Sequence, residues 1–301
     1  MSMKAIPQVA ILVVGFCTLS GCSSADAPAT PAAAGKPEHE VKTTAAWVAL
    51  AKNDFELAVK HADKVINQFA PAAARMEQQA KDGAAKIPVG AVSAEKEREI
   101  FSRGVLNDVA ACQFIKAQAL HKLGRPEEAK AAFTQASKLT AARVFDPSGS
   151  YFWAVAPIAE RCIKNPELAS KAVHEVIVSD AWAAFNAEDW KKAIAVADEC
   201  INQFQDAAQA VQDQLTKSGE SFPDGAVSDN DRARILKNGI LNDVAACLYI
   251  KGRAAENIGN RDMARSTYTA AEKFSHARCW DPQGWFWKPG TASADRLPNV
   301  K

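Results

Sequence analysis

The feature that most constrains the fold of this chain is an internal duplication. Shifting the 301-residue sequence by 135 positions aligns residues 39–149 with residues 174–284 without a gap, and 44 of the 111 aligned positions are identical. The identities come in blocks, such as the seven-residue block 106–112 that returns as 241–247. A long, gapless period of this kind is typical of proteins built by stacking a repeated structural unit. The sequence therefore predicts two successive copies of one structural unit.

Each copy shows helical periodicity. Apolar side chains recur at steps of three and four, as an amphipathic helix requires; in the first copy these are Ala58, Ala62, Val65, Ile66 and Phe69. Ser93 and Ser228 follow equivalent Pro-x-Gly-Ala-Val segments, where a helix N-cap is expected. The alternation of β-branched residues that marks strands is absent. The predicted fold class is therefore all-α.

The helical hairpins resemble tetratricopeptide repeats. The residues that fit the pattern of small side chains and turn glycines are Gly252, Gly259, Ala264, Tyr268 and Ala271, and their earlier counterparts Ala117, Gly124, Ala129, Phe133 and Ala136. The closing proline of that family is absent, and inserts of about residues 70–103 and 205–238 separate the two hairpins of each copy. The resemblance implies stacked helical hairpins, a solenoid with a concave groove.

Charge and composition exclude several classes of protein. The formal net charge is +1, which argues against a general nucleic-acid-binding protein, because such a protein needs a strong basic excess. Hydrophobic residues make up 48% of the chain, too many for wholesale disorder. We find no apolar run of the roughly 20 residues that span a membrane.

The amino-terminal sequence is typical of a targeting segment. Lys4 precedes a short apolar stretch, and Leu19-Ser20-Gly21-Cys22 follows it. This end resembles the lipobox of bacterial lipoproteins, which implies cleavage before Cys22, a lipid on its sulfur and attachment to the membrane. An ordinary signal peptide with a chance cysteine is the alternative. By the same resemblance, Ser23 points to the outer membrane, with the protein facing the periplasm.

The rest of the chain divides at the edges of the two copies. We expect six segments: a signal peptide over residues 1–21, a lipid-anchored flexible tether over 22–44 that begins at the lipid site Cys22, a first helical unit over 45–153, a connecting helical segment over 154–173, a second helical unit over 174–287 and an unstructured tail over 288–301. The tether follows from a composition rich in Ala and Pro.

Residues that could carry chemistry are few. His39-Glu40 and His174-Glu175 begin like a zinc-protease helix, but the second histidine is missing, so solvated polar positions are the simpler interpretation. His276 and Cys279 have metal-like spacing, yet the first copy has Ala141 and Val144 there. The sequence predicts no catalytic residue, no metal and no cofactor. The repeated Asn-Asp pairs 107–108 and 242–243 are expected to cap a helix or make a buried hydrogen bond, and a ligand-binding role is the alternative.

The cysteines leave the redox state open. Five lie beyond the lipid site, and an odd number leaves at least one without an intramolecular partner. Cys112 and Cys247 fall at equivalent apolar positions and are expected to be buried and reduced. A disulfide among Cys162, Cys200 and Cys279 is permitted by an exported location.

Two surfaces are candidates for binding. The loop that closes each copy is rich in large aromatic residues, most of which must pack because each buries a large apolar area; the candidates for exposure are Trp153, Trp280, Trp285 and Trp287, and those of the second copy are favoured. The second surface is the groove that the tetratricopeptide resemblance implies, where the inward positions are Trp47, Phe114, Gln118, His121, Trp182, Tyr249, Arg253 and Glu256.

The sequence thus favours a lipid-anchored envelope scaffold that binds a protein or peptide partner through the groove. A periplasmic or surface receptor for a small or saccharide ligand, bound by the aromatic loops, is the alternative. An enzyme is the third and least supported reading. Fold resemblance alone does not establish a function.

Overall fold

The computed structural model describes residues 36–84 and 86–300, and within them the chain forms twelve α-helices, six in each copy. The first copy contains α1 (Glu38–Ala51), α2 (Phe55–Asp82), α3 (Ala94–Phe101), α4 (Gly104–Lys122), α5 (Pro126–Ala136) and α6 (Val155–Lys164). The second contains α7 (Val173–Asn186), α8 (Trp190–Ser218), α9 (Asp229–Leu236), α10 (Gly239–Asn257), α11 (Arg261–Glu272) and α12 (Pro289–Ala294). The predicted all-α, tetratricopeptide-like solenoid is confirmed.

Local sequence explains where the helices begin. The side chain of Ser93 accepts a hydrogen bond from the backbone N–H of Lys96, and Ser228 does the same for Asp231. Asp54 and Asp189 cap α2 and α8 in the same way. These caps satisfy backbone donors that have no partner inside the first turn, so the predicted serine caps are confirmed.

The inserts between the hairpins are in part extensions of α2 and α8, and each also contains a short separate helix, α3 or α9. Helix α2 runs for 28 residues and contains Pro71, and α8 runs for 29. Alanine is the strongest helix former, and the run Ala72–Ala74 directly after Pro71 favours continuation of the helix. Within each copy, α2 or α8 packs against both the preceding helix and the long helix of the second hairpin.

Each copy also carries a two-stranded hairpin that the sequence did not predict. In the first, β1 (Arg143–Asp146) pairs with β2 (Tyr151–Ala154), and in the second, β3 (Cys279–Asp281) pairs with β4 (Trp285–Trp287). Both are antiparallel. Strands this short cannot show the alternation on which a sequence-based prediction depends.

The hairpin loop is one residue shorter in the second copy. Gly90 bridges to Phe152 in the first copy and Gly225 bridges to Phe286 in the second. The glycines are 135 positions apart and the phenylalanines 134 apart. From β2 onward, therefore, the counterpart of a residue lies 134 positions later. The N-caps of α6 and α12, Ala154 and Lys288, keep this spacing.

Two predicted boundaries are wrong. Helix α1 begins at Glu38, so the flexible tether does not extend to residue 44. The tail over 288–301 is not unstructured: α12 packs against α11, a 3₁₀ turn follows at Leu297–Asn299, and Val300 is buried. The tail is ordered because α12 packs against α10 and α11. It repeats, in shortened form, the connecting segment of the first copy, which forms α6 and a 3₁₀ turn at Pro166–Ser170.

The predicted signal peptide and the lipid site at Cys22 lie outside the described residues. Among the residues that are described, no helix is long and apolar enough to cross a membrane. The core is rich in alanine, which lets the helices approach closely, and most of its buried residues form one continuous cluster. This cluster extends through both copies.

Candidate functional site: an aromatic surface with one arginine

Two of the sequence-predicted binding residues belong to the core. Phe114 and Trp153 are almost fully buried, and their ring centroids lie 5.2 Å apart in an edge-on contact. Phe133 packs against Phe114 from α5 at 5.6 Å. Strand β2 brings Trp153 under α4, so neither ring faces a groove. The assignment of Phe114 to the groove and of Trp153 to an exposed loop is therefore corrected.

The first copy's candidate groove is crossed by the connecting segment. Nε2 of Gln118 donates a hydrogen bond to the carbonyl of Ala169, 3.0 Å away in the 3₁₀ turn that follows α6. Trp47 is half-buried and packs against the core, and His121 is also half-buried. This copy therefore offers no continuous groove made of the predicted residues.

The second copy does bring predicted residues together. We call Trp182, Phe185, Tyr249, Arg253 and Trp287 the aromatic–arginine surface; all five are half-buried. The Trp287 ring lies 5.0 Å from Tyr249 and 6.4 Å from Trp182, and Trp182 lies 5.8 Å from Phe185. Helices α7 and α10 and strand β4 supply these side chains. Trp287 thus belongs to this surface rather than to an exposed loop.

Arg253 is the charged member of this surface. Its Nη1 donates to the Tyr249 hydroxyl at 3.0 Å, and its guanidinium carbon lies 5.7 Å from the Phe185 ring centroid and 5.8 Å from that of Tyr249. Its Nε is buried and has no hydrogen-bond partner among the described residues. A buried donor without a partner costs free energy, and the Arg253 side chain as a whole is 27% exposed.

Glu256 makes a long ion pair with Arg253 and shorter contacts with other residues. Its nearest approach to Arg253 Nε is 3.9 Å, whereas both of its carboxylate oxygens lie 3.0 Å from Nη1 of Arg296. The Tyr268 hydroxyl also donates to Glu256, at 2.8 Å. Burial, together with the hydrogen bond to Glu256, raises the pKa of Tyr268 well above its usual value. Glu256 is therefore a structural acceptor for the tail and α11.

Sequence reasoning missed Phe185, Tyr268 and Arg296 as neighbours of this surface. Phe185 lies three residues after Trp182, on the same face of α7, so helical spacing could have found it. Arg296 lies in a tail expected to be unstructured, and no sequence signal tied it to Glu256.

Two other aromatic residues are exposed, in agreement with the expectation for the second copy. Trp280 and Trp285 are 38% and 40% exposed. The Trp280 ring packs edge-on against Phe286 at 4.9 Å, and the guanidinium carbon of Arg232 lies 4.2 Å from its centroid. One face of Trp280 is thus covered, whereas no such cover is seen over Trp285 in the described residues.

The duplicated asparagines make buried hydrogen bonds, as expected. Asn242 donates to the carbonyl of Ile235 at 3.0 Å and accepts from the backbone N–H of Arg278 at 2.8 Å. Asn107 makes the same two bonds in the first copy, to Ile100 and Arg143. The arginine side chains donate to backbone carbonyls of the loop before α3 or α9. The arginines were not predicted, because their partners are backbone atoms about 55 residues away.

The duplicated histidines His39 and His174 are largely buried, so their interpretation as solvated polar residues is wrong. His39 contacts Asp108, and His174 contacts Asp243, through Nδ1 and a carboxylate oxygen. Each pair joins the first helix of its copy to the long helix of the second hairpin. In the described residues no group of three or more His, Cys, Asp or Glu side chains could hold a metal ion.

The five cysteines of the described part are buried free thiols. The permitted disulfide among Cys162, Cys200 and Cys279 is not formed. Two small cavities, of about 380 and 210 Å³, lie beside Arg278 and Arg143 rather than at the aromatic–arginine surface. The larger is lined by both charges, including Glu272, Arg278 and Lys288.

Comparison with known proteins gives one match. The family described as tetratricopeptide repeat matches residues 110–143, which cover most of α4, all of α5 and the start of β1. No curated protein and no solved structure matches the chain significantly. Tetratricopeptide repeats generally mediate protein–protein interactions, so the match supports an interaction scaffold in general.

Proposed function

We propose that this chain is a non-catalytic scaffold of the bacterial cell envelope, which holds a protein or peptide partner on the aromatic–arginine surface. The observation that carries the proposal is Arg253, a half-buried guanidinium stacked near two aromatic rings with one donor unsatisfied. Tryptophan, tyrosine and arginine are the residues that dominate binding energy at protein interfaces. Trp182, Tyr249 and Arg253 supply all three residue types within the aromatic–arginine surface.

The chemistry of the surface suggests the kind of segment it binds. Trp182, Tyr249 and Trp287 present apolar rings, and Arg253 adds a fork of N–H donors suited to a carboxylate. A peptide with an apolar side chain next to an acidic group, or next to its own terminal carboxylate, would satisfy both. The second copy is the proposed site because the connecting segment crosses the corresponding surface of the first copy at Gln118.

The proposal is tested by crosslinking in cells. The Arg253→Glu variant should lose a crosslinked partner, because the change repels a carboxylate at the surface. The matched control is Arg98→Glu, which makes the same charge change at an exposed position of α3 and should keep the partner. A partner retained by both variants, or lost by both, would refute this site.

A second candidate is a receptor for a small or saccharide ligand, favoured by the exposure of Trp285 and Trp280. Aromatic faces stack on sugar rings. Cell-wall fragments should then change the tryptophan fluorescence of the protein, and Trp285→Ala should abolish the change while Arg253→Glu does not. If no fragment changes the fluorescence, this candidate is excluded in favour of the scaffold.

Membrane attachment at Cys22, on the outer membrane and facing the periplasm, is part of the proposal. Its support is the lipobox resemblance, which lies outside the described residues. Several acyl chains hold a protein on a membrane firmly. Cys22→Ser should abolish labelling by a fatty-acid analogue and release the protein from membranes. Cys17→Ser, five residues earlier in the apolar stretch, should leave both unchanged.

A further inference from the structure

Within one chain, the first copy packs against helix α8 of the second copy. The Tyr151 ring of the first copy packs edge-on against Phe204 of α8, with centroids 4.9 Å apart. A Cβ on Gly149 would lie 3.2 Å from the Cβ of Ala207, and one on Gly90 would lie 2.6 Å from the carbonyl oxygen of Asn202. The β1–β2 hairpin and the loop at Gly90 therefore lie directly against the middle of α8.

A charged contact completes this junction. Arg161 of α6 donates to Glu199 of α8 through two nitrogens, at 2.6 and 2.9 Å, and to Asp180 of α7 at 3.0 Å. The Arg161 side chain is 13% exposed. The junction thus combines an aromatic contact, close backbone approach and a shielded ion pair.

The second copy repeats the first half of this junction, and no described residue packs against its two glycines. Gly225 and Gly284, the counterparts of Gly90 and Gly149, have no neighbour within 4 Å of an added Cβ. Trp285 is the counterpart of Tyr151; it is 40% exposed, whereas Tyr151 is 4% exposed. We call Gly225, Gly284, Trp285 and Asp295 the C-terminal face.

The first copy repeats the other half of the junction, the surface of α8, on its own helix α2. Asn67, Gln68, Phe69 and Ala72 of α2 are identical to the residues of α8 on which the first copy packs. Asn67 and Gln68 are exposed, whereas Gln203, the counterpart of Gln68, is buried. With Lys64, these four residues form what we call the N-terminal face. The residues of the junction are thus repeated on α2, where Asn67 and Gln68 are exposed and Phe69 and Ala72 are half-buried.

The charged residues at the two faces have the opposite signs to their counterparts in the junction. Glu199, the acceptor of the junction, has Lys64 as its counterpart. Arg161, the donor, has Asp295 as its counterpart by the spacing that β4 and α12 follow. Both signs are reversed, so a lysine and an aspartate would meet where an arginine and a glutamate meet within the chain. Lys64 and Asp295 are both exposed.

We propose that a second copy of this chain docks head to tail, its N-terminal face on the C-terminal face of the first. Trp285 then packs against Phe69, Gly225 approaches Asn67, and Asp295 pairs with Lys64. Such a contact is heterologous, because each partner uses a different surface, so it leaves one face open at each end and continues into longer assemblies. The contact extends the junction already present between the two copies.

The test uses the full chain in a mild detergent and follows its mass by sedimentation over a range of concentrations. Trp285→Ala removes the ring of the C-terminal face, and Ala72→Arg places a bulky side chain on the N-terminal face. Ala74→Arg is the matched control, because Ala74 is an exposed residue of the same helix that lies outside the face. The double variant Trp285→Ala/Ala72→Arg serves as the monomer reference.

The wild-type chain and Ala74→Arg should grow beyond dimers with concentration, whereas each blocked variant should associate at least about tenfold more weakly. A mixture of Trp285→Ala with Ala72→Arg should form dimers and nothing larger, because one intact face of each kind remains. Lys64→Asp and Asp295→Lys should each weaken association, and combining them in one chain should restore it. A wild-type chain that stays monomeric, or a dimer that survives in the double variant, would overturn the proposal.

Discussion

The imidazole Nδ1 of His174 lies 2.7 Å from a carboxylate oxygen of Asp243, and together they join α7 to α10. Their side chains are only 15% and 18% exposed. Burial alone would lower the pKa of His174, but the hydrogen bond and the negative charge of Asp243 outweigh it and raise the pKa. The folded state therefore binds this proton more tightly than the unfolded state does.

This pair predicts a pH-dependent stability. Because the folded pKa is raised, its contribution to the free energy of unfolding is complete below the unfolded value of about 6.5 and is lost as the pH rises through the folded value. Urea unfolding of the wild type and His174→Gln should differ more at pH 5.5 than at pH 9. In an Asp243→Asn background the effect of His174→Gln should lose most of this pH dependence. A wild-type difference that is constant with pH would contradict the assignment.

Asn242→Ala should destabilise the fold by about 3 kcal/mol. The change leaves the carbonyl of Ile235 and the N–H of Arg278 without partners in a buried site, each at about 1–3 kcal/mol. Asn230→Ala, at an exposed position of α9, should change stability by less than about 0.5 kcal/mol. Chemical unfolding measures both. Equal effects would mean that the Asn242 amide contributes nothing specific.

Gly252→Ala should destabilise by about 2 kcal/mol, although alanine normally favours a helix over glycine by about 1 kcal/mol. An added Cβ would lie 2.4 Å from Cε1 of Tyr268. The Tyr268 ring is held by its hydroxyl bond to Glu256. The first copy has Ala117 and Phe133 at the equivalent positions.

A double variant tests this cause. Because Tyr268→Phe frees the ring from Glu256, Gly252→Ala should cost less in the Tyr268→Phe background than in the wild type. Thermal unfolding of the four chains gives the coupling energy. Strictly additive effects would show that the ring does not cause the loss.

The cysteines of the described part should not react with alkylating reagents in the folded protein at pH 8. All five are buried, and burial raises the pKa values of Cys112 and Cys162 to about 12, which leaves almost no thiolate. The protein is labelled with one reagent before unfolding and a second reagent after it, and mass spectrometry should find only the second reagent on these five cysteines. Labelling of Cys162 in the folded state, or a disulfide to it, would contradict this arrangement.

Much of the local structure could be predicted from the sequence. The helix caps at Ser93 and Ser228 follow from residue type and from the apolar periodicity after them. The same polar residue occurs inside the same apolar block of both copies, and the structure selects a buried hydrogen bond from the alternatives that this pattern leaves open for Asn107 and Asn242. These features depend on neighbours within a few residues, or on the repeat itself.

The candidate site could be predicted only in part. Tyr249 and Arg253 were placed by the resemblance to tetratricopeptide repeats, and the structure brings them together with Trp182. Phe114, the counterpart of Tyr249, was placed by the same reasoning and is buried. Trp153 contacts Phe114 and its counterpart Trp287 contacts Tyr249 in the same way, so the two outcomes differ because the 3₁₀ turn after α6 crosses the first copy's surface at Gln118. No local pattern in the sequence reports such a distant contact.

The sequence by itself determined the period of 135 residues, the all-α class and the positions where helices begin, since backbone hydrogen bonds and apolar spacing are local properties. Only the tertiary structure decided which faces are covered. Val176 is fully buried on α7, which packs against α6, whereas its identical counterpart Val41 is 53% exposed on α1, the first helix of the described residues. The same residue in the same helix position has two different environments, because burial depends on what lies next to the helix and not on the helix itself.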